Sequence, residues 1–500
     1  MNIKEAKKEI QNALRAYLRK DDRGSYCFPR VRQRPLLLMG PPGIGKTAIL
    51  EQVARENGVG LVAYTLTHHT RQSAVGLPKI ETLDFDGQEI QVTQYTMSEI
   101  IAAVYAYMAK TGKKEGILFL DEINCVSETL APTMLELLQN KTFGSHAVPE
   151  GWILVTAGNP PQYNKSVRTF DVATLDRVRT ISVEPDCNVW LEYAQGSGVH
   201  GAIRSYLAIR PEQFYLVEDG AQGKSFVTAR GWEDLSALLG SYEALDIPVT
   251  RELVKEYLQK EEVAKDFAAY YQLYRTYQAD YGIPALLEGS LTQEQWAEKA
   301  AMARNGGFEE RFTVVQLLMD GLEQWFRRYS QMESRIRALH GSLLRLRSNW
   351  GEGPDALAKG NEKSLQVRLD AGLVADADPE RWGIQKLEDY DLTLRQEHIR
   401  EPQAGFERIK VLFSQETQAF SGLTRETGQR LARAFRFAED CFGEGQEMVL
   451  FVTDLTRSPQ AMAYIAANGS EAFLRHGDAL MFASQERTLM EQCRSLMDTI

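Results

Sequence analysis

The segment Gly40-Pro41-Pro42-Gly43-Ile44-Gly45-Lys46-Thr47 carries the densest chemistry in the chain. It follows the apolar run Leu36-Leu37-Leu38-Met39 and precedes Ala48-Ile49-Leu50-Glu51-Gln52-Val53-Ala54. Strand, glycine-rich turn and helix is the context a phosphate-binding loop requires. Its three glycines permit backbone conformations that side chains forbid, so successive N–H groups can point at one anion. The helix begun near Thr47 adds its positive N-terminal end. Lys46 would set a point charge between the β- and γ-phosphates of a nucleoside triphosphate, and the Thr47 hydroxyl would ligate Mg²⁺. Gly40 to Thr47, with Ala48 just beyond, form the expected cofactor-binding set.

Two further apolar runs end in polar residues suited to the same chemistry. Gly116-Ile117-Leu118-Phe119-Leu120 runs into Asp121-Glu122, about 75 residues after the loop. The carboxyl end of a buried parallel strand is where an α/β sheet presents its chemistry. Asp121 would hold Mg²⁺ through water, and Glu122 would orient and polarise an attacking water; an acidic helix cap fits the same pattern. Trp152-Ile153-Leu154-Val155-Thr156-Ala157 runs into Gly158-Asn159-Pro160-Pro161. Asn159 would touch the γ-phosphate or the lytic water, although an Asn-Pro turn is common at strand ends.

These groups need a framework, and the composition supplies one. Five hundred residues exceed a single core, so two to four domains are expected. Hydrophobic content of 44% and charged content of 25% describe an ordinary globular protein. A net charge of −11 argues against general nucleic-acid binding. Cys27, Cys125, Cys187, Cys441 and Cys493 are scattered, which points to reduced thiols and a cytoplasmic setting. The polar N-terminus has no signal-peptide character, and no apolar run reaches membrane-spanning length.

Phe170-Asp171-Val172-Ala173-Thr174-Leu175-Asp176-Arg177-Val178-Arg179 reads as a short helix ending in arginines. In Phe226-Val227-Thr228-Ala229-Arg230-Gly231-Trp232-Glu233, Thr228 is placed to cap a helix carrying Arg230. The order of all these motifs resembles an AAA+ ATPase of the MoxR-like branch. The likeness covers about residues 30–240 and includes Gly76-Leu77-Pro78, Asp121-Glu122-Ile123-Asn124, Ala157-Gly158-Asn159-Pro160 and Leu175-Asp176-Arg177.

The resemblance implies an α/β P-loop core, a helical lid and a mostly helical C-terminal region. It implies ATP with Mg²⁺ and a homo-oligomeric ring, a hexamer. Arg177 resembles an arginine finger reaching the neighbouring subunit's nucleotide, with Arg179 the fallback. Arg230 resembles the second sensor, except that Ala229 replaces the family's proline. The branch also implies remodelling of a protein client, often beside a von Willebrand factor A partner. The related minichromosome-maintenance group offers a nucleic-acid motor as the alternative, which the acidic charge disfavours. A slow-hydrolysing scaffold is disfavoured by Glu122 and Arg177.

The expected organisation is a core over 1–186, a helical lid and extension over 187–350, and a C-terminal domain over 351–500. Residues 80–95 read as a hairpin around Asp86-Gly87, and 141–151 contain a second. Such hairpins resemble inserts that face a pore or a partner; a bare surface hairpin is the alternative. A long helix is expected from Thr250, with Tyr270, Tyr274, Tyr277 and Tyr281 on one face. That stripe reads as core or as a partner surface. Residues 322–350 read as a basic, aromatic helix packed by Leu339, Leu343, Leu344 and Leu346. Gly351-Glu352-Gly353-Pro354 breaks it. Met448 to Val452 fits a strand or a buried helical turn. His68, His69, His340, His398 and His476 lack metal-ligand spacing.

Overall fold

The computed structural model describes residues 1–68, 76–85, 88–143, 146–163, 167–220, 223–351, 353–370, 374 and 376–477. Asp86-Gly87, Gly144-Ser145, His69, Glu352 and Cys493 lie outside them. Two compact units form. One comprises Met1–Trp190, Pro211–Leu238 and Glu252–Ala264; the other comprises Leu191–Arg210, Leu239–Arg251 and Lys265–Ile500.

The first unit runs α1 (Ile3–Tyr17), β1 (Leu36–Met39), α2 (Lys46–Glu56), β2 (Gly60–Thr65), β3 (Pro78–Phe85), β4 (Gln88–Tyr95), α3 (Glu99–Thr111) and β5 (Gly116–Asp121). It continues with α4 (Ala131–Asn140), β6 (Thr142–Phe143), β7 (His146–Ala147), β8 (Trp152–Gly158), α5 (Val172–Leu175) and β9 (Arg179–Ser182). Five strands make one parallel sheet in the order β2-β5-β8-β1-β9. Alternate strand residues point to opposite faces. Leu36, Leu38, Ile117, Phe119, Ile153 and Val155 pack with α1 and α2 on one side. Leu37, Leu118, Leu120 and Leu154 pack with α3 and α4 on the other. Both faces are covered, which is why these strands are continuous apolar runs.

The expected hairpins are β3–β4 and β6–β7, both antiparallel. Gly76 (φ +99°) closes the base of the first. A side chain there would stand 2.0 Å from the Thr96 carbonyl, while Leu77 N–H donates to Thr96 Oγ1 at 2.8 Å. This gives Gly76-Leu77-Pro78 a steric reason. Lys141 roots the second hairpin. It is buried, donates to Gln33 Oε1 at 2.9 Å, and is pulled down to about 7 by burial and by Arg30.

Beyond β9 come α6 (Cys187–Ser197), α7 (Gly201–Ile209), β10 (Leu216–Gly220), β11 (Gly223–Val227) and α8 (Ala229–Ala244). The antiparallel β10–β11 pair was not expected in a helical lid. A local signal was nevertheless present: Asp219-Gly220 and Gly223 lie at the turn end of the two short strands. The helix expected from Thr250 is two helices, α9 (Arg251–Tyr257) and α10 (Glu261–Tyr281). Tertiary contacts override propensity there: Leu258 is fully buried, and Lys260 pairs with Glu218 of β10 at 2.6 Å.

The rest is α11 (Ile283–Glu288), α12 (Gln293–Asn305), α13 (Phe308–Ser348), α14 (Pro354–Asp370), α15 (Asp378–Gln396), α16 (Pro402–Phe442), α17 (Gln446–Arg457) and α18 (Pro459–Asn468). Gly351 and Gly353, both at positive φ, turn the chain between α13 and α14. Leu339, Leu343 and Leu346 pack with Leu387, Tyr390, Leu394 and Ile409. Leu344 instead is 51% exposed, because one residue past Leu343 lies about 100° round the helix. Tyr270, Tyr274 and Tyr281 are core residues, and Tyr277 is half-buried. Met448 to Val452 is helical, with Met448, Phe451 and Val452 buried at helical spacing.

Candidate active site

Strand order does what sequence order hides. β1 lies beside β8, and β8 lies beside β5, so Gly40, Asn159 and Asp121 emerge side by side at one edge of the sheet. Gly43 (φ +73°) and Gly45 (φ +90°) hold the left-handed turns that bring the loop into α2. Gly40 is sterically required as well: a Cβ would stand 2.7 Å from the Val183 carbonyl. Ile44 faces the core and anchors the loop, while Pro42, Thr47 and Ala48 are exposed.

Lys46 is 8% exposed. Its ammonium donates to Gly40 O at 2.8 Å, Pro41 O at 2.9 Å and Asn159 Oδ1 at 2.9 Å. Burial pulls it from its ordinary 10.5 to about 8; Asp121 and Glu122 oppose that shift, and Arg230 adds to it. A buried cation held by neutral oxygens fits an anionic ligand such as a triphosphate. Thr47 Oγ1 lies 3.4 Å from Asp121 Oδ2, so two hard oxygen donors face each other beside the loop. Glu122 adopts φ 56°, a strained conformation for a non-glycine residue. Its N–H donates to Asp121 Oδ1 at 2.9 Å, which orients that carboxylate.

Asn159 is clamped by a residue to which sequence reasoning gave no role. Asn124, 3% exposed, donates from Nδ2 to Asn159 O at 2.8 Å and accepts from Asn159 N–H at 3.3 Å. Gly158 has no room for a side chain, since its Cβ would lie 2.7 Å from Asn124 Oδ1. The signal was present: Asn124 sits two residues after Glu122. Tyr215 was also missed. Its hydroxyl donates to Pro42 O at 2.8 Å, and nothing in the sequence marks it.

Arg230 is the second residue of α8, where Gly231 N–H donates to Thr228 Oγ1 at 3.2 Å. Thr228 therefore caps as expected. A Cβ on Gly43 would lie 3.3 Å from Thr228 Cβ and 3.5 Å from Arg230 Cβ, so this turn abuts the loop of its own chain. Arg177 and Arg179 part company. Arg177 is exposed at the end of α5 and donates to Ala173 O at 2.7 Å. Arg179 is ion-paired to Glu9.

A parallel sheet with a glycine loop and buried lysine after one strand, and a carboxylate pair at the end of the next strand but one, defines a P-loop nucleotide hydrolase. Residues 35–178 match the AAA domain family of the dynein-related subfamily, so this region is an AAA-type ATPase domain that binds ATP. The protein is accordingly an ATP hydrolase. No curated protein matches the chain. Among the described residues, no helix is long and apolar enough to cross a membrane.

Proposed function

We infer that the protein assembles into a ring, hydrolyses ATP at subunit interfaces and uses the cycle to remodel a protein partner, as MoxR-like proteins do. One observation carries the ring reading. Arg177 lies just past α5, near Val172, 84% exposed, and Leu175, 41% exposed, and has no ion pair among the described residues. An exposed arginine flanked by exposed apolar side chains suits burial against another copy, where its planar fork would meet phosphoryl oxygens.

Within the site, Glu122 orients water for in-line attack on the γ-phosphate. Lys46 and Asn159 hold the phosphoryl oxygens, and Arg177 of a neighbour neutralises developing charge. Thr47, and Asp121 through water, would hold Mg²⁺, which when bound would supply positive charge against the phosphates. Arg230 ties α8 to the same phosphates. The basic stretch of α13 favours a protein client over nucleic acid. Arg327, Arg335 and Arg337 are matched to Glu323, Asp378 and Glu333, leaving less charge for phosphates.

Mixing Arg177→Ala subunits with Lys46→Ala subunits tests the interface. Each is inactive alone, and mixed assemblies should recover part of the hydrolysis. No recovery in confirmed mixed assemblies would overturn the shared site. A Glu122→Gln trap should retain ATP and hold the client for capture; DNA-stimulated hydrolysis would favour the motor reading instead.

A further inference from the structure

The helical unit holds a buried cation that the ATPase does not use. Arg430, on α16, is 8% exposed and stacks 3.4 Å from the ring centre of Trp325. Its Nε is buried with no hydrogen-bond partner among the described residues. Its Nη1 reaches only Glu426, at 3.4 Å to both the carbonyl and Oε2. Bonds that long satisfy little of a guanidinium's demand, and a buried charge without good acceptors is costly.

Arg430 lines a cavity of about 220 Å³ between α11, α13 and α16. Arg328, exposed and 5.0 Å from the same indole, lines it too, with no ion pair among the described residues. Ile283, Pro284, Leu287 and Leu317 supply an apolar wall. Two acids face the space. Asp320 is occupied by Arg204 and by the Tyr274 hydroxyl at 2.5 Å, and Glu288 is exposed. The volume falls below the ~300–1,000 Å³ of pockets for larger ligands, so a nucleotide does not fit.

We propose that this cavity is an anion site for a small carboxylate with a short apolar stem. The carboxylate meets the guanidiniums of Arg430 and Arg328, and the stem lies on the Ile283–Leu287 wall. Planar guanidinium and carboxylate groups match in geometry, and a bond to two charged donors is strong. The carboxylate comes from a free short-chain acid or from a glutamate side chain of a peptide.

Calorimetric titration of the full chain with butyrate, glutarate and a capped tetrapeptide carrying one glutamate tests this, with butyramide as the neutral control. Butyrate or glutarate binding assigns the free acid, and peptide binding alone assigns the side chain. Either should persist in Lys46→Ala, weaken about tenfold or more in Arg430→Met, and weaken severalfold in Arg328→Gln. Unliganded Arg430→Met should melt no lower than wild type, since it removes an unsatisfied buried charge. Arg328 is exposed, so its variant reports even if Arg430→Met fails to fold. Absence of carboxylate binding in the millimolar range, unchanged affinity in Arg328→Gln, or phosphate binding as tightly as butyrate would falsify the assignment.

Discussion

The two units bury polar groups in opposite ways. In the α/β unit the sheet interior is apolar and the ionisable groups Lys46, Asp121 and Glu122 sit at strand ends, where a ligand can reach them. In the helical unit charges lie inside. Arg204, Glu323, Asp454 and Arg430 are each under 9% exposed. Asp320 binds Arg204 and Tyr274, and Gln316 donates to Asp454 Oδ2 at 2.5 Å. Gly201 makes room for Asp320, which occupies the space a Cβ would need. The lesson is one of purpose. Buried charge beside the phosphate loop is poised for a ligand, whereas Lys141 and the charges buried between helices are consumed by the fold, Arg430 excepted.

Removing Lys46 should expose that contrast most sharply. Lys46→Ala should lower ATP hydrolysis by about 10²–10³-fold or more, while leaving the melting temperature equal or higher. Steady-state hydrolysis with parallel thermal denaturation checks it, and a large stability loss would place Lys46 with the structural charges. Asp320→Ala should do the reverse. It strands Arg204 in the interior and should cost about 3–5 kcal/mol in denaturant unfolding. Little change would show that the helical interior tolerates an unpaired cation.

Asn124→Ala lies between these extremes. It frees Asn159 without touching a ligand, so kcat should fall by up to about 10²-fold with ATP affinity nearly kept. Equal loss of affinity would mean that Asn124 supports the whole loop. The smallest effect is on pH. The folded pKa of Lys46 is about 8, below its ordinary 10.5, so the unfolded chain binds more protons between those values. Nucleotide-free stability should therefore rise with pH across that window. Bound phosphate favours the ammonium, so ATP affinity should fall, by less than about tenfold per unit, as pH rises through about 8. Proton uptake on ATP binding above pH 8 is the direct check, and its absence would contradict a depressed Lys46.

Much of this was legible in the residues. The loop, the three apolar strands and the Asp121-Glu122 and Asn159 ends are local patterns with local causes, so their types and spacing identify them. The break before α10 and the choice of which face of α13 is buried depend on neighbours distant in sequence, whereas the β10–β11 hairpin had a local Asp219-Gly220 signal. The position of Asn124 after Glu122 marks the residue without stating its task, because a clamp on a backbone group is invisible until both ends are placed.

By itself the sequence determined a phosphate loop, an ATPase core and a helical remainder, because glycine conformation, strand hydrophobicity and helical periodicity act over a few residues. Only the tertiary structure decided that β1, β8 and β5 stand side by side, that Asn124 holds Asn159, that Arg179 is tied to Glu9 while Arg177 stands clear, and that Arg430 lies buried against Trp325. Those outcomes come from long-range packing and burial, which depend on what surrounds a residue as well as on its type.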